Sequence, residues 1–138
     1  MTVSKSDITS VLPQRFPFIM IDNLVSADPK GFESDFIAAA ENIFTDNGIL
    51  GEAALIENIA QTCAAGFGSM HKNGNLPPRL GFIGAVSKLK VYELPLCGKT
   101  IQTKIEVMME FENVFLVKGQ NFCDGNKLVE CEMKIVLS

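Results

Sequence analysis

One glutamate, Glu57, lies in the middle of the most apolar stretch of the chain and is the first candidate for a chemical role. In the stretch from Gly48 to Met70, apolar residues recur at steps of three and four, which predicts a helix with a buried face. An ionised carboxylate is costly to bury without a partner. Glu57 is therefore either a structural carboxylate capped by polar neighbours or an acid kept for a purpose. In an apolar pocket, a carboxyl group can retain its proton and act as a general acid.

Two other titratable residues near this helix are poor partners for Glu57. Glu52 lies five residues earlier, about 7.5 Å along a helix axis and ~140° around it, so the two carboxylates do not share a face. A first-turn acid favoured by the helix dipole explains Glu52 better. His71 lies fourteen residues after Glu57, roughly 21 Å along the helix. A histidine near a helix C-terminus is favourable without any catalytic role.

The segment before the helix offers a polar group from outside it. We expect Asp46 and Asn47 to be within reach of a site near the helix, although Asp-Asn-Gly is also what an ordinary turn uses. Gln61, one turn after Glu57, is spaced to hydrogen-bond to it. We predict Glu57 and Asp46 as the catalytic candidates. The predicted substrate-binding residues are Phe44, Asn47, Gly48, Gln61 and Gly84.

Composition narrows the class of protein. With 138 residues, 47% of them apolar and 20% charged, the chain has the size and core-forming content of one domain, residues 1–138. Its net charge of −4 gives no reason to expect nucleic acid, whose binders carry a basic patch. The N-terminus has no apolar run and no stretch is long enough to span a bilayer. We therefore expect a cytoplasmic protein with no signal peptide and no membrane span.

The cysteines and the histidine give no metal site. Cys63, Cys97, Cys123 and Cys131 show no Cys-x-x-Cys spacing, and one histidine is available as a further ligand. We predict reduced and mostly buried thiols, and we expect neither a metal nor another cofactor.

Periodicity and turn residues predict two strands, the long helix and then four more strands. Asp28–Gly31 and Asp124–Gly125 are turn signals, and each is expected to join two strands as a hairpin. The remaining predicted elements are a short helix at Ser6–Leu12, strands at Phe18–Val25 and Phe32–Ala40, a loop at Glu41–Leu50, the long helix at about Glu52–Met70, and strands at Arg79–Tyr92 (with a bulge), Ile101–Phe111, Val114–Phe122 and Leu128–Leu137.

This order of elements is an α+β pattern. The helix is apolar on too many sides to lie on the surface, so an antiparallel sheet wrapped around it, the hotdog architecture, is the expected fold. A polar stripe at Glu57 and Gln61 still needs something to face. In a domain this small, a second copy is the expected cover.

Three motifs resemble one enzyme family. LPQRFPFIMIDNLV, from Leu12 to Val25, is similar to the opening of the bacterial 3-hydroxyacyl-acyl-carrier-protein dehydratases, which typically begins Leu-Pro-His-Arg. LIENIAQTCAAG, from Leu55 to Gly66, resembles their central-helix signature, Met-Ile-Glu-Ala-Leu-Ala-Gln. FIGAVSKLKVYELPLCGKTI, from Phe82 to Ile101, resembles the strand and turn that follow. The likeness runs over nearly the whole chain in the same order.

The departures from that family concern its histidines. The family's catalytic His opens a His-Phe-Pro-Gly motif fourteen residues before the catalytic Glu, a count that reaches Ile43 here. Phe44 matches the motif, but its His, Pro and Gly are absent, and the His of the opening motif is Gln14. Glu57 is thus the member of the catalytic pair that carries over. The altered motif resembles a subgroup of dehydratase-like proteins found beside aryl-polyene and flexirubin pigment genes.

The resemblance implies a chemistry and a partner. In the family, the His takes the proton beside the thioester carbonyl, the acid protonates the departing hydroxyl, and helix N-terminal amides steady the carbonyl oxygen. The His and the acid of one site come from opposite subunits. The first hypothesis is therefore a dehydratase acting on acyl-carrier-protein thioesters in fatty-acid or polyene-type biosynthesis, as a homodimer or as a heterodimer with a His-bearing paralogue. Its base is Asp46 or a group from the partner.

Two other hypotheses stay open. A non-catalytic acyl-binding subunit needs only a tunnel beside the helix, for which Ala64, Ala65, Gly66 and Gly68 are expected to leave room. A hotdog thioesterase uses one helix carboxylate to activate water or attack the thioester, so it needs no His.

Overall fold

An antiparallel sheet of six strands packs around one long helix in the computed structural model, which describes residues 2–73 and 81–138. The helix, α1, spans Glu52–Asn73. The strands are β1 (Asn23–Asp28), β2 (Gly31–Ile37), β3 (Thr45–Asp46), β4 (Ile49–Leu50), β5 (Gly81–Val91), β6 (Thr100–Phe111), β7 (Val114–Cys123) and β8 (Asn126–Leu137). The six-stranded sheet has the order β1-β2-β6-β7-β8-β5, and β3 and β4 form a separate short hairpin before α1. This is the predicted α+β hotdog fold.

The core lies between α1 and the concave face of the sheet. Leu55, Ile59 and Cys63 are fully buried on α1 at the predicted helical spacing. On β7, buried and half-buried residues alternate along the whole strand, because successive side chains of a strand point to opposite faces of the sheet. The helix packs against all six strands of the large sheet. Its position relative to the sheet is therefore fixed along its length.

Two glycines allow the helix to approach the sheet closely. A Cβ added at Gly119 on β7 would lie 2.3 Å from Cγ2 of Ile59. A Cβ added at Gly66 on α1 would lie 2.3 Å from the ring of Phe32 on β2. Gly66 was expected to leave room for a ligand, and that expectation is wrong because Phe32 fills the space. Gly68 likewise faces the Val11 carbonyl oxygen, which would lie 2.7 Å from a Cβ added there.

The strand β5 forms one end of the sheet and is exposed along its whole length. It pairs with β8 on one side, and no strand of the described chain lies beside its other edge. Its apolar side chains include Phe82, Ile83, Val86 and Leu89, which are 40–53% exposed. The predicted bulge is present, as irregularities of register at Ile83/Ala85 and Ser87/Lys90. A long apolar edge of this kind is a surface that proteins normally cover.

The predicted strand at Phe18–Val25 is largely wrong. The strand β1 begins at Asn23, and the segment 18–22 has no strand structure. The reason is that its backbone bonds to a side chain of the central helix: Gln61 accepts from Met20 N at 2.7 Å and donates to Phe18 O at 2.8 Å. Strand propensity at these positions is overridden by this tertiary contact.

Smaller differences concern the ends of elements. The short helix is a 3-10 helix at Lys5–Ser10 that begins after Ser4, not at Ser6. The predicted loop before α1 contains the hairpin of β3 and β4. The helix continues to Asn73, three residues beyond the predicted Met70, and Arg79 and Leu80 of the predicted strand at Arg79–Tyr92 lie outside the described residues.

Both predicted hairpins are confirmed. At the first, Asp28 Oδ1 accepts from Lys30 N at 2.7 Å and from Gly31 N at 3.2 Å, which closes the turn between β1 and β2. At the second, Asp124 and Gly125 have φ of 51° and 80°, the left-handed pair that a tight turn between β7 and β8 requires.

Three of the four thiols are buried, as predicted, and Cys97 is half-buried. Burial raises the pKa of the Cys63 thiol above its ordinary value, and it raises the pKa of Cys131 to about 11. Within residues 2–73 and 81–138, no helix is long and apolar enough to cross a membrane.

Candidate active site

Glu57 lies on the second turn of α1, half-buried, at the wall of a pocket of about 250 Å³. The helix contributes Glu57, Ala60 and Ala64 to this wall, since residues three and four apart share one face. Ala64 thus borders open space, as predicted. Gln14, from the segment before β1, also lines the pocket. The remaining described lining residues are Gly81, Phe82 and Ile83 at the start of β5 and Ile135 and Leu137 at the end of β8. Glu57 therefore borders a small pocket beside the exposed edge of the sheet, and most of the described residues that line it are apolar.

The predicted hydrogen bond between Glu57 and Gln61 is confirmed. Gln61 Nε2 donates to Glu57 Oε1 at 3.0 Å and also to Phe18 O, while Gln61 Oε1 accepts from Met20 N. Gln61 is fully buried, and both of its amide hydrogens are used within the chain. Of the predicted polar stripe, Gln61 therefore needs no cover from a second copy, whereas Glu57 is half-buried and borders the pocket. Glu57 Oε2, by contrast, has no hydrogen bond to any described residue.

A second set of buried polar contacts fixes the rotation of α1 about its axis. Asn58 Nδ2 donates to Met20 O at 2.7 Å, and Asn58 Oδ1 accepts from the Thr103 hydroxyl of β6. One turn later, the Thr62 hydroxyl bonds to Asn58 O at 2.7 Å and to the Ser34 hydroxyl of β2 at 2.7 Å. Buried polar groups with satisfied partners specify one packing arrangement. The side of the helix that carries Glu57 is thus held towards the pocket.

The hairpin before α1 is anchored to the turn that follows β5. Asn47 and Gly48 adopt φ of 52° and 78° at its tip. Gly48 O accepts from Cys97 N at 2.9 Å, and Phe44 O accepts from Gly51 N at 2.9 Å. These contacts set the point at which the helix begins. The first N–H groups of any helix lack intrahelical partners and attract negative charge, such as an oxygen that gains charge during a reaction.

The predicted site residues outside α1, which are Phe44, Asp46, Asn47, Gly48 and Gly84, do not line the pocket that contains Glu57. Asp46 is exposed on β3 and is not part of the pocket wall around Glu57. Ile43, at the position of the family's catalytic His, is 45% exposed and lines a different pocket of about 520 Å³ with Phe16 and Ile37. Gly84 follows the pocket residues on β5. A base from the segment before α1, at Ile43 or Asp46, therefore does not face Glu57 in its own chain.

Two features of the pocket were missed by sequence reasoning. Gln14 lies in the segment between the 3-10 helix and β1, where no periodicity predicts which way a side chain points. Its one sequence signal was its place at the family's second motif histidine. The sequence predicts Phe82 and Ile83 as ordinary strand residues, whereas in the structure they line the pocket at the edge of the sheet.

No group of three or more His, Cys, Asp and Glu side chains capable of holding a metal exists among the residues that the structure describes. His71 is half-buried near the end of α1, far along the helix from Glu57. Among the described residues that line the pocket, Glu57 is the one titratable group, so the chemistry that they offer is that of a single carboxylate.

Comparison with known proteins gives consistent results. A family model described as ApeP-like, ApeP dehydratase, matches residues 6–137. The 3-hydroxyacyl-[acyl-carrier-protein] dehydratase FabZ of Campylobacter curvus is 24% identical over 144 aligned residues, which cover 95% of this chain and 95% of the relative. The FabZ of Syntrophotalea carbinolica is 23% identical and covers 100% of this chain and 97% of its own.

Solved structures are similar in fold at low sequence identity. The dehydratase heterocomplex ApeI:P from Xenorhabdus doucetiae aligns with a TM-score of 0.87 at 15% identity, covering 95% of this chain and 90% of that chain. A hypothetical thioesterase with coenzyme A from Streptococcus pneumoniae aligns with a TM-score of 0.67 at 8% identity, covering 84% of each chain. Dehydratases and thioesterases thus share this fold.

Proposed function

The chain belongs to the ApeP-like dehydratase family, and on that premise we propose that it supplies the acid of a dehydratase site for 3-hydroxyacyl thioesters, while a partner subunit supplies the base. The observation that carries the proposal is the position of Glu57. Glu57 borders a pocket lined mostly by apolar residues beside an exposed strand edge, and Ile43 lines a separate pocket. The acyl group is carried by an acyl carrier protein, the carrier named for the FabZ relatives.

The reaction removes water from the acyl chain. The base takes the proton from the carbon next to the thioester carbonyl, the bond between carbon 3 and its hydroxyl breaks, and Glu57 gives its proton to the departing oxygen. The products are an enoyl thioester and water. Glu57 Oε1 is held by Gln61, so Oε2 is the oxygen that meets the hydroxyl. Helix N-terminal amides stabilise charge on the carbonyl oxygen.

The edge of β5 is the proposed contact with the partner. An exposed strand pairs readily with a strand of a second chain, and apolar side chains on both of its faces favour burial. The pocket around Glu57 includes Gly81, Phe82 and Ile83 of this strand, so a subunit bound here would close the pocket and bring its own groups to it. The ApeI:P heterocomplex supports a partner of a different sequence. In the proposal, that partner carries the His that this chain lacks.

The test is an assay with two readouts. The chain, together with a His-bearing dehydratase subunit, is incubated with a 3-hydroxyacyl thioester, and enoyl product and free thiol are measured together. Enoyl product that is lost on Glu57→Gln but retained on Glu52→Gln supports the proposal. Glu52 is the matched control, because it is an exposed acid on the first turn of the same helix.

The same assay separates the two other candidates. A thioesterase is favoured by one observation: among the described residues that line the pocket, Glu57 is the single titratable group. A thioesterase would release free thiol, and the release would be lost on Glu57→Ala. A non-catalytic subunit would bind acyl groups tightly and give neither product, alone or with a partner. Enoyl formation that survives Glu57→Gln would refute the acid role.

A further inference from the structure

One buried side-chain atom among the described residues has no hydrogen-bond partner, and it belongs to Gln14. Its Oε1 is enclosed, yet no donor lies within hydrogen-bonding distance. A buried acceptor without a donor is costly, so native structures normally pair such an atom with protein, water or ligand. The orphaned oxygen therefore marks a place where a donor is expected.

Gln14 lines the same pocket as Glu57. Its backbone is fixed by the neighbouring Arg15, whose Nη1 donates to Leu12 O at 2.6 Å and to Gln14 O at 2.8 Å. Glu57 and Gln14 thus line one pocket of about 250 Å³, and its other described lining residues are apolar. A ligand that enters this space meets two polar side chains, one from α1 and one from the N-terminal segment.

We infer that Gln14 Oε1 accepts the hydrogen of the substrate's 3-hydroxyl group and thereby selects hydroxylated acyl chains; this inference rests on the proposed function. A hydroxyl has one hydrogen to donate and two lone pairs. When its hydrogen is held by Gln14, a lone pair is left for the proton that Glu57 delivers. A saturated chain has no such hydrogen at carbon 3 and leaves the Gln14 oxygen unpaired, which disfavours it.

The test compares two non-hydrolysable ligands, a 3-hydroxyacyl pantetheine amide and the matching amide without the hydroxyl. The full chain assembled with a His-bearing dehydratase subunit is used, because the proposed partner closes the pocket, and dissociation constants are measured by calorimetry. Wild type should bind the hydroxylated ligand about tenfold more tightly, the usual effect of one hydrogen bond. Gln14→Met keeps the length of the side chain and should bind both ligands with similar affinity. Gln102→Met, a change at an exposed site on β6, should retain the preference.

Gln14→Asn provides a second variant in case Gln14→Met does not fold. It keeps the amide but withdraws the oxygen by one methylene, so it should also lose most of the preference. A variant at Gln14 that keeps the full tenfold preference overturns the inference. Wild type that binds both ligands equally overturns the role of Gln14 alone, whereas wild type that binds neither overturns the proposed function as well.

Discussion

Replacing Gln61 by leucine tests whether this side chain holds both the N-terminal segment and the acid. Gln61 is fully buried and joins three groups: Met20 N at 2.7 Å, Phe18 O at 2.8 Å and Glu57 Oε1 at 3.0 Å. Leucine fills a similar volume but can bond to none of them. The substitution therefore removes polar contacts while leaving apolar packing nearly unchanged.

The expected loss of stability follows from the groups left behind. A buried backbone group without a partner costs about 1–3 kcal/mol. Met20 is fully buried, so its N–H should cost the full amount, whereas Phe18 is 58% exposed and water can partly replace its lost bond. The sum is about 2–4 kcal/mol. A domain with the usual stability of about 5–15 kcal/mol should remain folded after such a loss.

Urea denaturation followed by circular dichroism measures this change, because the chain has no tryptophan to serve as a fluorescent probe. Gln102→Leu is the matched control at an exposed site and should stay within about 0.5 kcal/mol of wild type. Under conditions where Gln61→Leu is fully folded, turnover should fall at least about tenfold, because the oxygen of the acid is no longer held. A loss of stability below about 0.5 kcal/mol for Gln61→Leu would show that these hydrogen bonds do not hold the N-terminal segment.

Three further substitutions test the packing and the charges. Gly119→Ala forces a methyl group against α1 and should cost about 1–3 kcal/mol in urea denaturation, whereas Gly84→Ala, whose added methyl makes an ordinary contact, should not; equal losses would contradict the packing. Burial raises the pKa of Asp22, so ionisation of this carboxyl group opposes folding. The melting temperature of Asp22→Asn should therefore rise relative to that of wild type as pH increases above about 4. A difference in melting temperature that stays constant with pH would contradict this. The hydrogen bond from Tyr92 is the largest cause that lowers the pKa of Glu130, to about 2. The ionised Glu130 therefore stabilises the fold above the ordinary carboxyl pKa, and this stabilisation is lost as pH falls towards 2. The loss of melting temperature caused by Glu130→Gln should shrink over that range.

The long helix and the C-terminal strands could be predicted because their signals are local and repeated. Apolar residues of α1 recur with the helical period, and Asp124–Gly125 has the backbone that a tight turn needs. The strand at Phe18–Val25 could not be predicted correctly. Its partner is the Gln61 side chain, about forty residues away, and no local pattern records that contact.

The candidate site was predictable in part for the same reason. The pair Glu57 and Gln61 follows from helix spacing, and the structure confirms their hydrogen bond. Gln14 was missed because its direction depends on how a segment without regular structure packs. The small residues of the helix were ambiguous from sequence: Ala64 borders the pocket, whereas Gly66 accommodates Phe32.

The most direct test of the central claim is the dehydration rate of a 3-hydroxyacyl thioester with the purified chain alone and after assembly with a His-bearing dehydratase subunit. We predict negligible enoyl product from the chain alone, full turnover from the assembled pair, and loss of that turnover on Glu57→Gln in this chain or on replacement of the partner's histidine. Full turnover by the chain alone, or by a pair that carries Glu57→Gln, would contradict this prediction.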